Sequence, residues 1–325
     1  MNPATCLCHT EELDQGATCD PYPARSQERS IPLPSEYTPF SLEWEHAYTP
    51  LFAAMPVHPL VFSLPNLWAW KTWMGLEIRF AYGLAWLRCL RHGLHYLAPA
   101  GPWNNVDWPA LQSELKRMGV IHQVPELLAR LWETRLDCPV EITENRNYWE
   151  YLYTTDDLAK LAGRRYHMQR NHMNAYIREH GEPDVRELNA LDSPAILNLA
   201  HRWREGHVDS PIVQGELDSL ARICDQWNRL DLTAWGVYLN NRLVAFSIGH
   251  TLDSATMGVL YEKAEPGLRG AFPIMASSFA RTAGAGKALL NRAEDMGEPG
   301  LRKAKMLYRP IDFQRMCSVR VDPEQ

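Results

Sequence analysis

Residues 232–250 read LTAWGVYLNNRLVAFSIGH, and this stretch predicts two strands joined by a tight turn. Apolar and aromatic residues fill both flanks, and the central pair Asn240-Asn241 tolerates the positive φ angles that a two-residue hairpin needs. The pattern then predicts a strand at 255–262, a helix at 270–282, a buried strand at 288–292, a helix at 300–307 and a last strand at 316–321. This succession predicts an α+β fold with a mixed, largely antiparallel sheet.

The segments before the hairpin continue the same type of fold toward the N-terminus. Two helices precede the hairpin, one capped near Asp192 and another at about 213–230. Strands are predicted within 76–98, and a long helix at 164–180 ends just before a Glu-Pro pair that marks a border. We therefore predict a poorly ordered arm at 1–35, an N-terminal domain at 36–181 and a C-terminal domain at 182–325.

Composition limits the classes of protein that this chain can belong to. Its 325 residues are 46% hydrophobic and 22% charged, which is typical of a globular protein of about two domains. The net charge of −6 excludes a generic nucleic-acid coat, because such a coat needs excess positive charge to displace counterions. A local basic groove stays compatible with this charge.

We expect neither a membrane span nor a disulfide framework. Charged residues and prolines interrupt the most apolar regions, whereas a spanning helix needs about 20 nearly uninterrupted apolar residues. The seven cysteines are an odd number, which favours a reducing cytoplasm as the location. Cys6, Cys8, His9 and Cys19 match no common zinc spacing, so we predict no metal site.

The order of elements in the second half resembles the core of the GNAT superfamily of N-acyltransferases. In that fold the strand before the central helix splays from its neighbour, and the following loop offers N–H groups to the pyrophosphate of coenzyme A. The corresponding loop here, 263–270, contributes Lys263, Arg269 and Gly270 as candidate donor-binding residues. It lacks the superfamily's Arg/Gln-x-x-Gly-x-Gly/Ala spacing, which leaves acyl-CoA as an alternative donor.

A closer resemblance is carried by residues 291–310, NRAEDMGEPGLRKAKMLYRP. This run resembles the signature of an uncharacterised bacterial family grouped with the C-terminal catalytic domain of phosphatidylglycerol lysyltransferases. Supporting pieces are YEKA at 261–264, RGA at 269–271 and RNHMN at 170–174, and the resemblance covers about 36–321. It implies two GNAT-like domains in tandem and an aminoacyl-tRNA as a possible donor. Leu307 departs from the family, which commonly has a small polar residue at that position.

Three residues near the C-terminus are the candidate catalytic groups. Glu294 and Asp295 follow a buried strand, where a carboxylate could deprotonate an acceptor or hold its ammonium group. Tyr308 falls where many GNAT enzymes have a tyrosine that protonates the leaving group. We expect these side chains to face one opening between diverging strands. The alternatives are that Asp295 caps a helix or pairs with Arg292, and that Tyr308 is a core aromatic.

Six further residues are candidates for binding. Arg302, Lys303 and Lys305 lie within one helical turn and could contact phosphates, unless they only form a solvated helix face. The resemblance adds three substrate-positioning candidates, Arg170, Asn171 and Asn291. The alternative for the long helix with Arg170 and Asn171 is that it joins two domains through polar contacts.

These features predict an acyl- or aminoacyltransferase that acts on an amine or hydroxyl acceptor. The acceptor could be a small molecule, a peptide or a lipid headgroup, the donor could be acyl-CoA or an aminoacyl-tRNA, and no tightly bound cofactor is expected. The alternatives are an acyl-CoA-dependent N-acyltransferase and a non-catalytic protein that binds a metabolite or a lipid. A hydrolase elbow, a phosphate-binding P-loop and a dinucleotide fingerprint are all missing from the sequence.

Overall fold

The computed structural model describes residues 33–91, 93–205 and 211–323. Most of the predicted arm, with Cys6, Cys8, His9 and Cys19, therefore lies outside the described residues. The helices are α1 Glu45–Ala53, α2 Leu64–Met74, α3 Trp108–Met118, α4 Glu126–Arg135, α5 Thr155–Lys160, α6 His167–His180, α7 Ser193–Glu205, α8 Pro211–Asp225, α9 Ala271–Arg281 and α10 Pro299–Met306. The longest of these described helices has 15 residues, and none is both long and apolar enough to cross a bilayer.

The strands form two seven-stranded sheets. They are β1 Thr38–Pro39, β2 Leu76–Ala81, β3 Leu84–Cys89, β4 His95–Leu97, β5 Val120–Pro125, β6 Val140–Glu144, β7 Glu150–Thr154, β8 Asp184–Leu188, β9 Thr233–Leu239, β10 Arg242–Thr251, β11 Thr256–Ala264, β12 Leu289–Asn291, β13 Asp312–Gln314 and β14 Met316–Val321. The first sheet has the order β1-β2-β3-β4-β5-β14-β6, and the second has the order β8-β9-β10-β11-β12-β7-β13. Only β4–β5 and β11–β12 are parallel pairs among these strands. The predicted α+β class, with mixed and largely antiparallel sheets, is confirmed.

The two sheets repeat one pattern of elements. Each half of the chain runs through a strand, two helices, three strands, a helix, a strand, a helix and two final strands. The last strand of each half then enters the sheet of the other half, so that β14 pairs with β5 and β6, and β7 pairs with β12 and β13. The division of the chain at 181/182 stays a prediction, while the hydrogen bonds assign β7 to the second sheet and β14 to the first.

The hairpin that opened the sequence analysis forms as predicted. Asn240 and Asn241 have φ angles of 51° and 60°, which is the left-handed region that a tight two-residue turn requires. β9 and β10 pair on either side of this turn. Seven consecutive residues of β10 are buried, because helices cover both faces of this central strand.

A split between β11 and β12 positions the candidate site. β11 pairs with β10 as far as Ala264, but it pairs with β12 only over residues 256–258. β12 ends at Asn291, and the chain then turns away through Ala293, which has a φ of 55°. Residues 259–264 of β11 therefore continue without a neighbouring strand on that side.

The exchanged strand β14 gives a test of this topology. It lies between β5 and β6, and its side chains Met316, Cys317, Val319 and Val321 are at most 2% exposed. Truncation after Gln314 should therefore prevent cooperative folding, because it removes an interior strand and part of the apolar core. Urea unfolding followed by circular dichroism should show no transition for this variant, whereas truncation after Pro323 should keep the wild-type midpoint. A cooperative transition after loss of β14 would contradict the strand exchange.

Candidate functional site

An ion pair crosses the split between β11 and β12. Arg292 directly follows β12, and its Nη2 donates to Oε2 of Glu262 on β11. The two side chains are 8% and 9% exposed, respectively. Ser247 on β10 donates to the other carboxylate oxygen of Glu262 at 3.2 Å. The charged pair therefore fills the place where a continuous sheet would have backbone hydrogen bonds.

Three aromatic rings surround the guanidinium group of Arg292. Its central carbon lies 4.9 Å from the ring centroid of Tyr308, and 5.5 Å from each of the rings of Tyr153 and Phe272. Tyr308 lies two residues after α10, Tyr153 lies on β7, and Phe272 lies in the first turn of α9. Cation–π attraction favours this placement, and it is stronger in a desolvated site than in water.

Two acidic side chains meet near the start of β7. Glu150 is fully buried and accepts the N–H groups of Leu60 and Val61 at 2.9 and 2.8 Å, and the side-chain amide of Asn291 at 2.5 Å. Burial and repulsion from Glu294 raise the pKa of Glu150 to about 7, despite these hydrogen bonds. Burial also raises the pKa of Glu294, although Lys305 opposes the shift.

Lys305 on α10 is the basic residue of this cluster. Its ammonium group donates to the backbone oxygens of Arg292 and Glu294 at 2.6 and 2.5 Å. Burial lowers the pKa of Lys305 to about 8, although the charge of Glu294 opposes the shift. Two acids with raised pKa values beside an amine with a lowered pKa can exchange protons near neutral pH.

Asp295 does not have the environment that the sequence predicted for a catalytic carboxylate. It is 0% exposed and accepts hydrogen bonds from Arg302 at 2.8 and 2.9 Å, Tyr151 at 2.5 Å, the N–H of Gly297 at 2.9 Å and Arg146 at 3.3 Å. Burial acts to raise its pKa, but these donors outweigh burial and lower the pKa to about 2. Asp295 is thus a fixed anion that joins the loop to α10, with Arg302 rather than Arg292 as its main partner.

Tyr308 lies beside Arg292 and apart from Asp295. Its side chain is 6% exposed, and burial raises the pKa of its phenol well above the usual range. The phenol stays protonated at neutral pH and can donate to a bound molecule. Tyr308 contacts Arg292, and Glu294 interacts with Glu150 and Lys305, so the expectation that Tyr308 and Glu294 face one opening stays a prediction.

The three basic residues of α10 have different environments. Arg302 is engaged with Asp295 and with Asn147, at 2.9 Å to the Asn147 side-chain oxygen. Lys303 is exposed, whereas Lys305 points into the cluster. Arg302 and Lys305, three residues apart, both turn inward, as expected for one helix face, and the predicted contact of the three residues with phosphates stays a prediction.

The predicted donor loop does not act as one unit either. Lys263 points to the opposite face of the sheet from Glu262, where its ammonium group lies 2.7 Å from Glu216 and 3.4 Å above the ring of Trp203. Arg269 is exposed. Gly270 has a φ of 93°, and a Cβ atom there would overlap the backbone of α6. Helix α6 therefore covers the start of α9.

Two of the three predicted substrate-positioning residues, Arg170 and Asn291, make contacts within the fold. Arg170 donates to the backbone oxygens of Leu161 and Gly163, the latter at 2.7 Å, and so fixes the turn before α6. Asn171 is exposed and contacts a histidine ring on its own helix. Asn291 is 1% exposed and orients Glu150. For Asn291, the structure places the side chain within the cluster rather than toward an open surface.

Sequence reasoning missed three members of the site, Glu150, Glu262 and Arg292. Each of the two acids interrupts a stretch of aromatic and branched residues, WEYLY at 149–153 and VLYEK at 259–263. A lone acid in a strand that is otherwise typical of a core is a signal of a buried, paired carboxylate. Their partners could not be identified, because they depend on the exchange of β7 and on the split.

Two seven-stranded α+β layers that exchange their final strands, with buried acids and bases at the split of the second, define the fold class of this chain. The family model for the C-terminal region of phosphatidylglycerol lysyltransferase matches residues 81–318. The chain belongs to this family, and its membership supports acyl or aminoacyl transfer as the class of reaction.

Solved structures agree with this fold. A conserved protein of unknown function from Bacteroides thetaiotaomicron is 23% identical, with a TM-score of 0.79 over 88% of this chain and 99% of that chain. The structure of L-PGS from Bacillus licheniformis is 12% identical, with a TM-score of 0.53 over 82% of this chain and 94% of that chain. At these identities the likeness concerns the fold alone.

A sequence relative gives a shorter match. An uncharacterized protein from Mycoplasmoides gallisepticum is 24% identical over 163 residues, which are 49% of this chain and 52% of that protein. The match thus spans about half the length of this relative.

The buried carboxyl of Glu150 should give the stability a specific pH dependence. The folded-state pKa of Glu150 is about 7, above the ordinary value of 4.5. Its contribution to the unfolding free energy is therefore fully present below about pH 4.5 and is lost as the pH rises through about 7. Relative to Glu150→Gln, the wild type should lose on the order of 2 kcal/mol of unfolding free energy across this range. Urea unfolding between about pH 5 and pH 8 measures the difference. The exposed Glu182→Gln control should follow the wild type, and parallel curves for wild type and Glu150→Gln would contradict the raised pKa.

Loss of the Asp295 anion should destabilise the protein. Asp295→Asn leaves Arg302 and Arg146 without their buried counter-charge, so we expect a loss of about 3 kcal/mol in unfolding free energy. The control Asp156→Asn breaks an exposed pair with Lys160 and should change it by less than about 0.5 kcal/mol. Equal unfolding midpoints for the two variants would show that Asp295 is not the structural anion described above.

Proposed function

We propose that this protein transfers an aminoacyl group from an aminoacyl-tRNA to an amine or hydroxyl acceptor. The observation that carries the proposal is the cluster of Glu150, Glu294 and Lys305, whose pKa values are shifted toward neutrality at the end of a split strand. Acid–base catalysis uses groups whose pKa values lie near the working pH, and shifted pKa values cluster at active sites. Family membership supports the same class of reaction.

The proposed reaction assigns a proton-transfer role to each of two residues. Glu294 takes the proton of the acceptor as its nitrogen or oxygen attacks the ester carbonyl carbon of the donor. The tetrahedral intermediate then collapses, the bond to the tRNA ribose oxygen breaks, and Tyr308 donates a proton to that oxygen. The products are an amide or ester of the acceptor and a free tRNA end. Solvent returns a proton to Tyr308 and removes one from Glu294.

Two features favour tRNA over acyl-CoA as the donor. Helix α6 packs against Gly270, and Lys263 faces the other side of the sheet, so these two residues of the loop are not available to a pyrophosphate. Exposed basic residues instead lie around the ends of α6 and α10, which are joined by a 3.0 Å hydrogen bond from Tyr166 to the Tyr308 backbone oxygen. They are Arg164, Lys303 and Arg309. An exposed basic surface suits the phosphates of a nucleic acid despite the net negative charge of the chain.

The acceptor belongs to one of three chemical classes in this proposal: a small amine, a peptide or a lipid headgroup. All three offer the nucleophile that Glu294 would deprotonate. Dependence on aminoacyl-tRNA also places the protein in the cytoplasm, where charged tRNA is made. No tightly bound cofactor is needed for the proposed chemistry.

Turnover can be measured with the full chain and tRNAs charged with labelled amino acids. Phosphatidylglycerol vesicles, a peptide mixture and a small-amine mixture serve as separate acceptors. Glu294→Gln should lower kcat about 10²-fold or more, and Tyr308→Phe about 10-fold or more, since each removes one proton transfer. The exposed Glu298→Gln control, four residues from Glu294, should retain wild-type turnover.

The other possible results separate the alternatives. Turnover with acyl-CoA but with none of the charged tRNAs would identify acyl-CoA, rather than aminoacyl-tRNA, as the donor. A tightly held metabolite or lipid in native mass spectra, with no turnover in any combination, would favour a binding protein. Wild-type kcat in Glu294→Gln would contradict the role of the cluster.

A further inference from the structure

We propose that Arg292 binds the carbonyl oxygen of the transferred acyl group through the N–H groups of its Nη1 atom. This inference rests on the proposed function and adds a substrate-binding residue to it. The side chain of Arg292 is 8% exposed, and its Nη1 atom has no hydrogen-bond partner within residues 33–91, 93–205 and 211–323. Because proteins rarely leave a buried charged donor unsatisfied, an oxygen of a bound molecule is the expected partner.

The orientation of Arg292 is fixed before any ligand arrives. Its Nη2 is bound to Glu262, and Glu262 is in turn held by the hydroxyl of Ser247. Its backbone oxygen accepts the ammonium group of Lys305 at 2.6 Å. The free edge of the guanidinium group is therefore preorganised, which is the condition under which a hydrogen-bond donor stabilises a transition state.

The local charge indicates which kind of ligand fits. Glu262 already neutralises Arg292, so a phosphate or another permanent anion would also face the carboxylate of Glu262. A neutral carbonyl has no such penalty when it binds. It becomes an oxyanion only as the acceptor attacks, and the attraction to Arg292 then increases in the transition state.

The surrounding rings strengthen this interaction. Tyr153, Phe272 and Tyr308 lie around the guanidinium group and displace water from it. Phe272 is only partly buried, so the compartment borders solvent at the first turn of α9. The Tyr308 phenol lies next to the proposed carbonyl position, where it can protonate the leaving group.

The test compares Arg292→Met and Arg292→Lys with the control Arg281→Gln. Arg281 lies at the other end of α9, and its guanidinium group donates to the hydroxyls of Ser277 and Ser278. Both Arg292 variants should lower kcat by about 10²-fold with KM changed less than about threefold, because the interaction forms mainly in the transition state. Added guanidinium should restore part of the kcat of Arg292→Met, and Arg281→Gln should behave as wild type.

Two results would overturn the role of Arg292. One is a kcat within about threefold of wild type in a folded Arg292→Met or Arg292→Lys protein. The other is a loss of activity that guanidinium does not restore and that appears entirely in KM. If Arg292→Met fails to give a cooperative unfolding transition, Arg292→Lys decides alone, since it keeps a positive charge opposite Glu262 but lacks the Nη1 atom.

A binding measurement separates this inference from the proposed function. L-amino-acid amides labelled with ¹³C at the carbonyl serve as probes, and infrared difference spectra report the carbonyl stretch. Binding to the wild type should shift the stretch of at least one amide to lower frequency, and Arg292→Met should abolish the shift. This result would support Arg292 even if no charged tRNA gave turnover. Binding without a shift, or no binding of any amide, would leave Arg292 as a structural ion pair and overturn the inference.

Discussion

The site depends on the early end of β12. Once β12 stops at Asn291, the remaining half of β11 loses its neighbouring strand, and its exposed edge must be covered by other groups. The ion pair of Arg292 and Glu262 spans this gap, and Lys305 binds the backbone oxygens of the loop that turns away. The break in the sheet removes backbone hydrogen bonds from β11. The charged groups that lie there instead are in an apolar region, and this burial shifts their pKa values.

The strand exchange makes this site a product of both halves of the chain. β7 brings Glu150, Tyr151 and Tyr153 from the first half into the second sheet, next to β12. Glu150 also binds the N–H groups of Leu60 and Val61, which ties the segment before α2 to the cluster. Neither half alone contains the complete set of acids and bases of the candidate site.

Local sequence signals predicted the elements well, but they could not predict partners that are distant in the chain. The Asn240-Asn241 turn is set by four residues and was correct in detail. For Asp295 the sequence offers a pairing with Arg292, whereas in the structure Arg302, seven residues later on α10, turns inward and binds it. Arg292 and Glu262 are 30 residues apart, and only the split brings them together. The partner of a charged side chain on a strand therefore depends on how the strands pair, and neighbouring residues in the sequence do not predict that pairing.

The balance of charges in the cluster has a consequence for how it handles protons. The cluster contains four acidic residues, Glu150, Glu262, Glu294 and Asp295, and four basic residues, Arg146, Arg292, Arg302 and Lys305. The charge of Glu294 raises the pKa of Lys305, against the lowering by burial. When Glu294 takes up a proton, this attraction disappears, the pKa of Lys305 falls, and Lys305 releases its own proton more readily. Proton uptake at one residue thus promotes release at the other, and the buried cluster avoids a net change of charge that its apolar surroundings would oppose.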